Sequence, residues 1–280
     1  MYSNKDIAEY YDTTQVHYER WWDLKNTYTL HYGICDDKVR NFKKSLVNTN
    51  KILQEISNIS ANDMVLDAGC GVGGSAIFLT KNTNAHITGI SLSKKQIDFA
   101  NKLALKLNLS DRLSFFEMDY SNTPFHDQSF DVVWACESIC HASDKDAFLK
   151  ECYRILKNGG RLILSDYFLT NEDKNGKYFL IDKWMKTWSI SNFSTHDKFI
   201  KSINHQGFST YKSFDFTENI KKCSRRYFFY SIMGAIPSEL YNLFHPEVSR
   251  FAKTHYKSGF FQYRALRNML WRYYVILAVK

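Results

Sequence analysis

The sequence predicts a doubly wound α/β fold with a helical N-terminal lid and helical cap insertions. Three observations predict it. From Met64 onward, short apolar runs alternate with amphipathic stretches. The first of those runs ends in an acid and a cluster of glycines. The flanks, before Ser60 and after Asp166, are rich in aromatics and add largely helical stretches to the alternating pattern. Alternating βα units imply a parallel sheet, with ligands at the carboxyl ends of the strands.

The first strand is expected over 64–67 and runs into Asp67-Ala-Gly-Cys-Gly-Val-Gly-Gly74, ahead of a helical run over 75–80. Glycines at this spacing allow positive φ and let a ligand approach main-chain N–H groups. Further strands are expected over 86–90, 113–118, 131–135 and 161–166, with helices over 94–107 and 145–156 between them. Asn158-Gly159-Gly160 supplies a helix stop and turn. Beyond Asp166, a helix is expected over 177–188, a capped helix from Thr195 to Ile203 and a sixth strand over 208–216. A largely helical insert over 217–261 follows, then a last strand over 271–279. Before the core, residues 1 to about 60 look helical: 7–12 and 16–22 are aromatic-rich, and 39–56 carries apolar positions at helical spacing. The implied divisions are a lid over 1–60, a core over 61–168, and the remainder of the core with cap insertions over 169–280.

At 280 residues the chain suits one α/β domain with additional helices. Its net charge of +8 is spread thinly and reads chiefly as a solvated surface, compatible with an anionic partner. Six cysteines form no C-x-x-C pair, as expected of reduced thiols in a cytoplasmic protein. No stretch approaches the roughly 20 apolar residues of a membrane span, so no integral membrane segment is expected, while peripheral membrane contact and a homodimer stay open. Aromatic content is high, with 18 Tyr, 21 Phe and 6 Trp.

The Asp67-Ala-Gly-Cys-Gly-Val-Gly-Gly loop and the later Arg-Ile-Leu-Lys-Asn-Gly-Gly-Arg-Leu-Ile-Leu164 stretch resemble class I S-adenosyl-L-methionine-dependent methyltransferases. Gly89-Ile-Ser-Leu-Ser93, with Gln96 after it, is similar to their sterol side-chain and tocopherol branch. The resemblance implies a Rossmann-like seven-stranded sheet and S-adenosyl-L-methionine as cofactor. By that resemblance Asp67, Gly69, Cys70 and Gly71 wrap the methionine part, with the acid on its ammonium group. Ser91 and Gln96 serve the ribose, Asp119 meets the adenine amino group, and Tyr120 lies beside the ring. Tyr32, in the His31-Tyr-Gly stretch, is expected to touch the cofactor, and Cys136 forms part of its wall.

The stretch Cys136-Glu-Ser-Ile-Cys-His141 follows the fourth strand and is similar to the corresponding segment of sterol side-chain methyltransferases. Its position puts Glu137 beside the transferred methyl, where a carboxylate could stabilise a developing cation or accept a proton. His141 would be a base titrating near operating pH. Tyr11, Trp22, Trp184 and Trp188 are the lid and cap aromatics expected to meet the substrate. The function implied is methylation, at carbon or nitrogen, of a small and largely apolar acceptor such as an isoprenoid, quinol, sterol-like lipid or alkaloid-like metabolite. Such transfer needs no metal. The alternative is an RNA or protein methyltransferase; against it stand the missing Asn-Pro-Pro-Tyr-type motif and the absence of a concentrated basic face, so no nucleic acid partner is expected.

Overall fold

A computed structural model describes residues 1–21, 24–172 and 176–280. Seven strands form one sheet: β1 (Met64–Ala68), β2 (His86–Ser91), β3 (Leu113–Glu117), β4 (Phe130–Cys136), β5 (Leu156–Leu169), β6 (Thr210–Asp215) and β7 (Trp271–Val279). Their order is β3-β2-β1-β4-β5-β7-β6. β1 to β5 run parallel, and β7 enters antiparallel between β5 and β6. The chain runs outward from β1 through β2 to β3 and then crosses back to lay β4 on the other side of β1. That switch point is where such sheets open a crevice.

Side chains alternate across a strand, so each central strand feeds two cores. Val65, Val132, Trp134 and Ile163 pack into one, while Leu66, Val133, Ala135 and Leu162 pack into the other. The helices α4 (Gly74–Thr83), α5 (Lys94–Lys106), α6 (Lys145–Ile155) and α8 (His196–His205) cover these faces. Both faces are buried, which is why the strands read as continuous apolar runs.

In the N-terminal lid, residues 4–21 form a single helix, α1 (Asn4–Trp21), which carries both aromatic-rich stretches up to Trp21. The polar break at Thr13-Thr14 does not interrupt it, because both hydroxyls turn back onto carbonyls: Thr13 donates to Glu9 and Thr14 to Tyr10, each at 2.7 Å. After the short α2 (Leu24–Thr27) and an extended segment comes α3 (Phe42–Ser57), which starts three residues later than the periodicity indicates. Asn41 caps it by accepting from the Lys44 N–H at 3.3 Å.

The expected turn at Asn158-Gly159-Gly160 is instead a register break within β5. α6 stops at Ile155 and the strand begins at once, pairing Leu156 with Phe130 and resuming at Arg161 with Val132. The rest of the chain supplies α7 (Phe179–Trp188) and, between β6 and β7, α9 (Thr217–Phe244), α10 (Arg250–His255) and α11 (Ser258–Arg267). No helix among the described residues is long and apolar enough to cross a membrane.

Candidate active site

The site lies at the carboxyl ends of β1, β2 and β4, where the strands hand over to loops. β1 delivers Asp67, and the chain then turns through Gly69 at φ +90°. Only glycine fits there: a Cβ on Gly69 would stand 2.4 Å from the Cβ of Ser138, in the loop after β4. The lid closes equally tightly from above. A Cβ on Gly74 would stand 1.8 Å from the carbonyl oxygen of Tyr28, so the segment after α2 rests directly on the first turn of α4.

Asp67 is buried, and its Oδ2 has no hydrogen-bond partner among the described residues. Burial raises its pKa to about 7, and the Ala76 backbone N–H offsets only part of that. A half-satisfied carboxylate on the wall of a cavity is an acceptor with a place for a cation.

At the end of β2, the Ser91 hydroxyl donates to Gln96 Oε1 at 3.0 Å. Ser93 caps α5 by accepting from the Gln96 N–H at 3.1 Å and donates to Asp12 Oδ1 on α1 at 2.5 Å. Lys95 Nζ donates to the Asp12 carbonyl at 2.9 Å. The lid helix is therefore tied to the same turn that presents Gln96.

Glu137 follows β4 with φ +51°, a left-handed backbone that is costly for a residue with a side chain. Its N–H donates to the Ser165 carbonyl at 2.7 Å. Its Oε1 accepts from the Tyr32 N–H at 2.6 Å and from the Tyr273 hydroxyl at 2.8 Å, and its Oε2 accepts from the Tyr167 hydroxyl. Burial nevertheless outweighs these donors and pushes the carboxyl pKa up to about 8. His141 closes a one-turn 3₁₀ helix, Ile139–His141, with Nε2 2.9 Å from the Tyr11 hydroxyl. Here the structure corrects the sequence reading. Burial first, and the Lys145 charge second, lower the His141 pKa to about 3, so the ring is neutral rather than poised near operating pH.

One cavity collects most of the predicted residues. Asp67, Gly69, Cys70, Gly71, Ser91 and Gln96 line it. So do Tyr120, Cys136, Glu137 and His141, together with Tyr11 from the lid and Trp188 from the cap. The Tyr120 hydroxyl donates to the Ser138 carbonyl at 3.0 Å, which fixes its ring against the loop after β4.

The chain's middle carries the match to known proteins. The family described as "Methyltransferase domain" covers residues 66–164. Residues 66–164 are thus similar to methyltransferase domains. The chain is 38% identical over 140 residues to 27-O-demethylrifamycin SV methyltransferase of Amycolatopsis mediterranei, covering 50% of this chain and 52% of that protein. It is 29% identical over 236 residues to the chloroplastic tocopherol O-methyltransferase of Arabidopsis thaliana, covering 77% and 66%. The match thus spans from about half to just under two thirds of these relatives' length. Among solved structures, the [4+2]-cyclase SpnF superposes with a TM-score of 0.82 over 99% of this chain and 96% of that one, at 20% identity. At that identity the likeness concerns the fold.

Three residues predicted for the site do not line the cavity. The Tyr32 ring is buried among Tyr167, Tyr227 and Trp271, and its hydroxyl donates to Gln262 at 2.6 Å. Only its backbone N–H serves the site, through Glu137. Trp184 is fully buried between Tyr167 and Trp271 and does not reach the cavity. Asp119 does not line the cavity: its Oδ2 accepts from Asn4 Nδ2 at 2.7 Å and its Oδ1 from the Ser121 N–H at 2.7 Å. Trp22 lies outside the described residues. Conversely, Tyr28, Thr29, Leu30 and His31 border the cavity and were missed. The His31-Tyr-Gly stretch was the available signal, but composition could not tell that Tyr32 serves the site through its backbone N–H on Glu137 rather than through its ring.

Proposed function

We propose that this chain transfers a methyl group from S-adenosyl-L-methionine to a small, largely apolar acceptor, at carbon or nitrogen. The observation that carries the reading is the buried, unpartnered Asp67 oxygen on the wall of a glycine-turned cavity. A single orphaned acceptor in an otherwise satisfied strand end matches an ammonium group, and the amide and hydroxyl of Gln96 and Ser91 match ribose hydroxyls. Tyr120 presents a ring for a base. The names of the methyltransferase relatives, acting on a rifamycin and on tocopherol, support an acceptor with extensive apolar surface.

The cofactor supplies a methyl group already activated for displacement, so the chain's task is alignment and exclusion of water. In this reading residues 1–60 act as the lid, 61–168 as the cofactor core, and 169–280 as the remaining core and substrate cap. α1 and the Tyr28–His31 segment cover the glycine loop, while Tyr11 and Trp188 form an apolar wall toward the acceptor. Glu137, held by three donors, is placed to stabilise a cation developing on the acceptor in its ionised form, which is populated as pH rises toward 8. With a pKa of about 8, the same carboxyl acts as a proton acceptor once ionised, so that role grows as pH rises through 8. Neutral His141 holds the Tyr11 hydroxyl in place rather than taking the proton itself. The free cysteines support a reducing, cytoplasmic setting.

The test is release of S-adenosylhomocysteine by the purified protein with apolar metabolite, polar metabolite and RNA fractions in parallel. Turnover confined to the apolar fraction is expected. Turnover with RNA or polar amines instead would overturn the acceptor class, and no turnover with any fraction would overturn the activity.

A further inference from the structure

α9 faces outward with the wrong chemistry for water. Its inner face carries small or hydroxylated residues: Ser224, Tyr227, Ser231 and Gly234 are buried, and a Cβ on Gly259 of α11 would stand 2.6 Å from both the Ser231 hydroxyl and the Tyr227 carbonyl oxygen. The large apolar residues point the other way. Phe229, Ile232, Met233, Ile236, Leu240, Leu243 and Phe244 recur at spacings of three and four residues, which places them on one side of the helix. They are exposed by between 51% (Ile232) and 74% (Ile236 and Phe244). An unbroken apolar stripe of this length marks an interaction surface.

A second feature adjoins it. A cleft between the start of α3 and the first half of α9 is lined by Arg40, Lys222, Arg225 and Arg226 and contains no acid. None of these four cations forms an ion pair with an acid among the described residues. Arg226 is held in place by aromatic faces, with its guanidinium 4.4 Å from the Phe42 ring centroid and 4.6 Å from that of Tyr230. Phe229 belongs to both features, lining the cleft and opening the stripe. The same helix face therefore reads cationic and then apolar.

We propose that α9 docks this protein onto an anionic lipid bilayer, with the Lys222–Arg226 cleft on lipid phosphates and the 229–244 stripe in the acyl boundary. A helix lying flat on the protein body, with exposed apolar side chains flanked by Lys and Arg, has the geometry of an in-plane interfacial helix. Charge decides between this occupant and a second copy of the chain. From Asn219 to Phe244 the only acid is Glu239, which already pairs with Lys257 at 2.8 Å and accepts from the Tyr256 hydroxyl. A stripe-to-stripe pair of copies would bring no free carboxylate to the cleft, whereas an anionic bilayer neutralises it. Docking also bears on the site, because Tyr227 on the inner face of α9 packs edge-on against Tyr32 at 5.0 Å, next to Glu137. This inference stands apart from the methyl-transfer reading, since its readout is lipid binding.

The experiment is co-flotation of the full chain with phosphatidylcholine vesicles, with and without an equal part of phosphatidylserine, at low and high salt. Binding to the mixed vesicles and its weakening by salt are expected. Lys222→Gln combined with Arg225→Gln should lower the partition coefficient on mixed vesicles roughly 30-fold, each charge near an anionic surface being worth about a factor of five. Met233→Asp combined with Ile236→Asp should abolish binding, while circular dichroism and S-adenosylhomocysteine binding stay unchanged because both side chains are exposed. Failure of the wild type to float with mixed vesicles, or unchanged flotation of the Met233/Ile236 variant, would overturn the proposal. So would a dimer in sedimentation velocity that this variant splits, which would make a second copy the occupant.

Discussion

Replacing Glu137 with glutamine should flatten the dependence of stability on pH. The folded carboxyl titrates at about 8, against an ordinary value of 4.5. Between those values the folded protein holds a proton that the unfolded chain has released. The raised pKa thus contributes stability that is fully present below 4.5 and is lost as pH rises through 8. Within that window each pH unit is worth about 1.4 kcal/mol, so moving from about pH 5.5 to about pH 7.5 weakens the wild type by up to ~2.7 kcal/mol through this group alone. Glu137 borders the cavity, where water can enter and screen it, so the realised swing is about 1–2 kcal/mol. Glutamine has no proton to lose. Any fixed penalty from its amide facing the Tyr167 hydroxyl is the same at both pH values and cancels. Urea unfolding of both proteins, followed by tryptophan fluorescence, measures the difference directly. The gap between the two stabilities should shift by that amount in favour of the variant as pH rises. Parallel profiles would refute the claim that this carboxyl is buried and protonated in the fold.

Four further outcomes are expected. Asp67→Asn should weaken S-adenosylhomocysteine binding by roughly 10- to 100-fold in calorimetry, the range for losing one charge-assisted hydrogen bond; an unchanged affinity would remove Asp67 from the ammonium site. Gly74→Ala should destabilise by about 1–3 kcal/mol, because its Cβ meets the Tyr28 carbonyl at 1.8 Å and one of two backbones must move. Gly159→Ala, left-handed but with nothing within 4 Å, should cost only about 1 kcal/mol in the same thermal unfolding assay. Finally, kcat/KM should rise with pH to a plateau above about 8 as Glu137 ionises, and Glu137→Gln should lose that limb; a limb that persists in the variant would assign it to another group.

What the sequence made legible followed from local pattern. The strands, the glycine turn and the Glu137 position all sit where apolar runs meet chain reversals, and short-range periodicity reports those. It could not report which side of a tyrosine does the work. Tyr32 was expected to touch the cofactor, yet its ring is claimed by Tyr167, Tyr227 and Gln262, residues more than a hundred positions away, leaving only its N–H for Glu137. Trp184 failed for the same reason: its helix was correct, but the core behind β5 and β7 took its side chain. His141 shows a further limit, since its ring belongs to the cavity while the burial that keeps it neutral depends on the lid.

The backbone at position 137 would suit glycine, or the asparagine that elsewhere in this chain holds φ +51° at Asn58 and φ +62° at Asn84. A glutamate there is tolerated because its carboxylate gathers Tyr32, Tyr167 and Tyr273 from three distant parts of the chain. Stability and chemistry therefore pull in opposite directions at one residue. A library randomised at 137 and sorted for thermal tolerance alone would drift toward glycine and asparagine, and the same library sorted for turnover would return to glutamate. The gap between those two winners would measure how much folding stability the chain gives up to keep an acid at that strand end.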